Sequence, residues 1–158
     1  MLNGQNRLEM LSLVRSVSAQ VADVMDLDEL AKRVTSLILE TFKFYFVAIY
    51  TLETGQSQLR FRGSVGPEQN TGNSTRPEPQ FTPPAFVQIG EGMIGHVAAT
   101  GVEEVANDVT LNPYYREMDA LAQTRAEIAL PLIIKKTVLG VLDVQSDQVG
   151  AFDDTDLL

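Results

Sequence analysis

The 158-residue chain contains no cysteine, a single histidine, and only twelve lysines and arginines against twenty-one acidic residues. The missing thiols exclude disulfides, thiolate metal sites, cysteine nucleophiles and thioether-linked cofactors within this segment. One histidine leaves no Ser-His-Asp set to argue for and no second imidazole at metal-ligand spacing. Cations this sparse, in a chain of formal net charge −9, argue against nucleic acid as a partner, because phosphate contacts need clustered Lys and Arg. No run approaches the roughly 18 apolar residues of a membrane span. The N-terminus, with Asn3, Gln5 and Asn6 and no early basic cluster, does not resemble a signal peptide. The expectation is a cytoplasmic protein whose segment here makes no membrane contact.

What is present reads as one ordinary globular domain, with a hydrophobic fraction of 44%. From Arg7 to Met25 the apolar residues Met10, Leu13, Val14, Val17, Val21 and Val24 recur at helical steps. This stripe either covers the domain's own sheet or pairs with a second copy. Residues 1–25 are therefore read as an N-terminal amphipathic helix and 26–158 as the domain proper. Asp26-Leu27-Asp28-Glu29 reads as a capping box opening a second helix, whose expected apolar face is Leu27, Leu30, Val34, Leu37, Ile38 and Phe42.

Phe44 to Tyr50 is nearly continuous in β-forming residues, as in a central strand covered on both faces. Glu53-Thr54-Gly55 turns the chain, and Leu59 and Phe61 then alternate with Gln58, Arg60 and Arg62 in a second strand. Gly66 to Pro84 holds five of the seven prolines and reads as a long loop, either a lid or disordered. Phe86 to Ile89 is a short strand leading into Gly90-Glu91-Gly92-Met93-Ile94-Gly95-His96, followed by a short helix to Gly101. Glu103 to Ala106 is another strand, and Asn112-Pro113 opens a short helix or structured loop in which Tyr114 and Tyr115 cannot share a face. Ala126 to Ile134, interrupted by Pro131, and Val138 to Val144 form a hairpin through Lys135-Lys136-Thr137. Phe152 to Leu158 opens a capped helix that stops within its first turn, so the chain is expected to continue in its natural context.

This order of elements, with Gly90-Glu91-Gly92-Met93-Ile94-Gly95-His96-Val97-Ala98, Asn107-Asp108, Ala129-Leu130-Pro131-Leu132, Val138-Leu139-Gly140-Val141-Leu142 and Gly150-Ala151-Phe152-Asp153, resembles the GAF domain. The resemblance implies an α+β, PAS-related fold. In it a central antiparallel sheet of about six strands carries the N- and C-terminal helices on one face and a small-molecule pocket on the other. It further implies a sensory or regulatory module of a larger signalling protein that binds an unknown small molecule. Such modules form homodimers through terminal helices and control an effector in the same chain, a histidine kinase of a two-component system or a cyclic-di-GMP enzyme among them. A ligand-free scaffold serving dimerisation or docking is the alternative.

The bilin-attaching and methionine sulfoxide reductase branches of the family need cysteines. The cyclic-nucleotide branch needs Asn-Lys where this chain has Gln145-Ser146, and a final Glu where it has Leu157. By motif alignment the ligand-binding candidates are Met93, Ile94, Asp119, Thr124 and Asp143, with Tyr115 at the rim; no cofactor is identified. Asp143 stands out independently, because a carboxylate inside Val-Leu-Gly-Val-Leu-x-Val must face water or a pocket, or its pKa rises. His96 reads as a structural histidine, with no second ligand at metal spacing. The remaining carboxylates read as scattered surface positions rather than a paired cleft, so the chain is expected not to be an enzyme. The Gly90-x-Gly92-x-x-Gly95 spacing does not make a dinucleotide site: most of the sheet precedes it, and Glu103 and Glu104 come too early for the ribose-binding acid. Its glycines instead let the backbone at Met93 and Ile94 approach a ligand.

Overall fold

The computed structural model describes residues 12–14, 26–67 and 83–152. The elements are α1 (Leu27–Phe42), β1 (Phe46–Leu52), β2 (Gln58–Val65), β3 (Phe86–Gln88), α2 (Gly92–Thr100), β4 (Glu104–Ala106), β5 (Ala126–Ile134) and β6 (Thr137–Ser146). Short 3-10 turns lie at Val109–Leu111 and Asp119–Leu121. The strands form one six-stranded sheet in the order β3-β2-β1-β6-β5-β4, every pairing antiparallel, so the expected α+β architecture is present. Most of the stretch from Arg7 to Met25, the proline-rich loop and the capped C-terminal helix lie outside the described residues. Among the described residues no helix is long and apolar enough to cross a membrane.

β1 is buried from Phe46 to Tyr50 because it lies between β2 and β6 and is covered on both faces. Its alternate side chains feed two cores. Phe46, Ala48 and Tyr50 join Leu59, Met93, Val97 and Val141 under α2. Val47 joins Ile128, Val144 and Phe152 on the opposite face, with Ile38 and Leu39 of α1 packed against them. This two-sided burial is why the run reads as continuous rather than alternating.

α1 packs through a different face from the one expected. Its buried residues are Ala31 and Thr35, whereas Leu30, Val34, Leu37 and Phe42 are exposed. The cause is a close approach to β2: a Cβ on Gly63 would sit 3.0 Å from the backbone nitrogen of Lys32. Only small side chains fit between backbones so near, so Leu30, Val34, Leu37 and Phe42 are turned outward while Ile38 still reaches the core. The capping box does not form either. Asp26 takes a non-extended backbone conformation without a side-chain cap, and Glu29 instead pairs with Arg33 at 2.8 Å.

The register of β1 and β2 shifts between Ile49 and Tyr50, which leaves Arg62 as the bulged residue. Its re-aimed guanidinium donates to Thr51 Oγ1 at 2.7 Å and to Glu53 and Asp28 at 3.3 Å each, tying the start of α1 to the hairpin. Pro131 lies beyond the last residue paired with β4, where the outer edge of β5 has no neighbouring strand and a missing N–H costs nothing. Asn112-Pro113 starts a structured loop rather than a helix: Asn112 Oδ1 accepts from Tyr114 N–H at 2.8 Å. The two tyrosines part as expected. Tyr114 stacks on His96 with ring centres 3.8 Å apart, and Tyr115 packs against the core under α2.

Candidate ligand site

The face of the sheet under α2 carries a polar cluster that only the cross-strand register brings together. Glu127 of β5 stands opposite Gln145 of β6, and Ala129 stands opposite Asp143. Residues one strand apart and offset by two positions are diagonal neighbours within reach of long side chains, which joins the carboxyls of Glu127 and Asp143. Asp143 also faces Ala48 on β1, so it has an alanine on each side. α2 roofs this region with Met93, Ile94 and Val97, and Leu121 closes it beside them.

The hydrogen bonds run in one chain. Thr124, placed by the turn whose Leu121 carbonyl accepts from its N–H, donates its hydroxyl to Gln145 Oε1 at 2.7 Å. Gln145 Nε2 then donates to Asp143 Oδ2 at 2.9 Å. The other oxygen, Asp143 Oδ1, is buried with no hydrogen-bond partner among the described residues. Asp143 is 0% exposed and Glu127 4%.

Two carboxyls sharing so dry a site cannot both ionise cheaply. Burial pushes Asp143 up to about 6, moderated by the hydrogen bonds from Gln145 and Glu127. Burial raises Glu127 further, with the Asp143 charge and the hydrogen bond between the two acids adding to it. Each acid therefore holds its proton more tightly than a free carboxyl does. Tyr50, buried beside it, is raised first by burial and then by both acids. Tyr115 is raised for the same reasons, and its hydroxyl hydrogen-bonds Thr124.

Of the residues singled out from the sequence, Met93, Ile94, Thr124 and Asp143 are buried on this side of the sheet and Tyr115 packs at its margin. Asp119 does not join them: it opens the 3-10 turn on the exposed surface, with Leu121 turned inward in its place. Asp143 does not face water: it is buried, and its pKa is raised accordingly. Glu127, Gln145 and Tyr50 were missed. The available signal was period-two spacing: Glu127 shares a face with Ala129, as Asp143 does with Val141 and Gln145. The reading of the carboxylates as scattered is thus corrected, because adjacency across strands does not show in sequence spacing. His96, stacked on Tyr114 and 4.0 Å from Glu104, is engaged in structural contacts.

The profile of the GAF domain family matches residues 24–157. GAF domain-containing protein A of Dictyostelium discoideum is 28% identical over 123 residues, 78% of this chain and 67% of that protein. The free methionine-R-sulfoxide reductase of Escherichia coli is 33% identical over 70 residues, which are 44% of this chain and 41% of that enzyme. The same enzyme from Neisseria meningitidis, solved with its substrate, superposes with a TM-score of 0.66 at 25% identity, covering 87% of this chain and 73% of that one. The two free methionine-R-sulfoxide reductases are enzymes on this fold, and they overturn the expectation that the chain is not an enzyme. Sheet order, the two cores on its faces and the family profile agree, and the chain belongs to the GAF domain family.

Proposed function

We propose that this GAF domain is a sensory or regulatory module that binds a small molecule carrying a protonated nitrogen at the Glu127–Asp143 pair. One observation carries the reading: two acids buried side by side, each holding its proton more tightly than a free carboxyl, with Asp143 Oδ1 lacking a hydrogen-bond partner among the described residues. An ammonium group can take the place of that proton, giving both carboxylates a charge-assisted partner. The likeness to enzymes named for free methionine-R-sulfoxide supports a compact, amino-acid-like ligand. Free amides at the start of α2, at Met93 and Ile94, suit the carboxylate of such a molecule. With no cysteine in the chain, a thiol step has no residue to carry it. Access requires the segment bearing Tyr115, Leu121 and Thr124 to lift, and that motion is the signal passed toward an effector such as a histidine kinase or a cyclic-di-GMP enzyme. The same reading assigns the exposed stripe Leu30, Val34 and Leu37 to a second copy, since Leu13 and Val14 are also uncovered in the single chain. Sedimentation of the wild type and of Val34→Glu checks that assignment: a dimer that persists in the variant removes it.

The binding reading is tested by thermal shift with free amino acids, primary amines and polyamines, each beside its N-acetylated counterpart. A binder at a hundredfold excess over its Kd stabilises by about 2.7 kcal/mol, which is readily seen. Stabilisation by at least one amine, lost on acetylation, is the expected result. If no amine stabilises the domain, or the acetylated compounds act equally, the proposed recognition is wrong.

A further inference from the structure

We infer that Gln145, oriented by Thr124, is a positioning residue that places the pair's proton on Glu127 and keeps Asp143 an anion, so that the site selects ligands arriving as proton donors. The clause about ligands rests on the binding proposed above; the placement of the proton does not. A glutamine amide has donors at one end and an acceptor at the other, so its orientation assigns charge to whatever it touches. Thr124 donates to Oε1, which turns Nε2 toward Asp143 Oδ2. A donor aimed at a carboxyl favours its ionised form. Among the described residues Glu127 receives no comparable donor, so of two acids sharing one proton it is Glu127 that holds it. Asp143 then presents its unpartnered Oδ1 as an acceptor, and that atom meets an incoming N–H group.

With the amide reversed, Oε1 would face Asp143, a contact that is favourable only if Asp143 carries the proton. Tyr115 hydrogen-bonds Thr124 from the covering segment, and with the Tyr115 hydroxyl donating, the Thr124 proton is left for Oε1, which opposes the reversal. The other titratable groups near the pair are Tyr50 from β1 and Tyr115, with Glu117 acting on Tyr115. α2 brings the apolar Met93, Ile94 and Val97 to this core, and β1 brings Phe46 and Ala48.

The test is a carbon-13 NMR titration of the side-chain carboxyls in the intact chain, with Glu127→Gln and Asp143→Asn assigning the two signals. In the wild type Asp143 should ionise at the lower pH and Glu127 at the higher. Thr124→Val, nearly isosteric and able to fold if Gln145→Leu does not, should raise the Asp143 midpoint by about one pH unit, a tenfold change in proton affinity. Gln145→Leu should raise it at least as much, and Thr124→Ser should restore the wild-type order. An Asp143 midpoint unmoved in Thr124→Val, or Glu127 ionising first in the wild type, overturns the inference. If amines bind while the titration fails, only the positioning role falls; if no amine binds, the titration still decides where the proton sits.

Discussion

Replacing Asp143 by asparagine will weaken the pH dependence of this domain's stability, removing the share that Asp143 carries while the share that burial imposes on Glu127 remains. In the unfolded chain both acids ionise near pH 4, whereas in the folded protein Asp143 keeps its proton to about 6 and burial holds Glu127 well above its ordinary range. The native state therefore binds more protons than the unfolded state from about pH 4 upward. The stability contributed by the protonated pair is complete below pH 4 and is lost as the pH rises through 6. A proton affinity raised about a hundredfold corresponds to a loss on the order of 3 kcal/mol across that window. In Asp143→Asn the amide can accept from Gln145 and donate to Glu127, so the geometry survives while one charge is gone. Urea denaturation at a series of pH values should show a steep fall from pH 4 upward in the wild type and a shallower one in the variant. At pH 8 the variant should be at least as stable as the wild type. A variant with the wild-type slope would place the pH dependence elsewhere.

Gly95→Ala will destabilise the domain although alanine is the better helix former. The gain in propensity is about 1 kcal/mol. Against it, a Cβ on Gly95 would collide with the carbonyl oxygen of Gln88 and lie 3.0 Å from the Gly90 nitrogen. Both are backbone atoms, locked by the bond from Gly90 N–H to the Gly95 carbonyl at 2.8 Å, so α2 must lift from β3. Overpacking of this kind costs about 1–3 kcal/mol, and contact with rigid backbone puts this case at the upper end, for a net loss of about 2 kcal/mol. Because α2 roofs the acid pair with Met93 and Ile94, lifting it admits water, and the pH dependence described above should weaken in the same variant. Thermal denaturation of Gly95→Ala at pH 5 and pH 8 measures both effects. A variant as stable as the wild type would mean that the glycine motif is not a packing device.

Much of the fold is legible in local patterns. The two-faced burial of β1 follows from its unbroken apolar run, and the Lys135-Lys136 turn, with both residues at positive φ, from its place between two alternating strands. The splitting of Tyr114 and Tyr115 follows from helical and loop geometry alone. The face of α1 was not legible, because the largest apolar residues lose to Ala31 and Thr35 once a strand glycine pulls the helix close. Nor was Glu127, which sixteen positions separate from Asp143 along the chain.

The sequence by itself determined the element order, the absence of thiol chemistry and the oddness of Asp143, since each is a property of composition or short-range period. Only the tertiary structure decided that Asp143 has a partner, that Thr124 and Gln145 reach it through one hydrogen-bond chain, and that Asp119 is exposed. Register between β5 and β6 sets which side chains meet, and register is the sum of many distant pairings, so no local pattern in the chain encodes it.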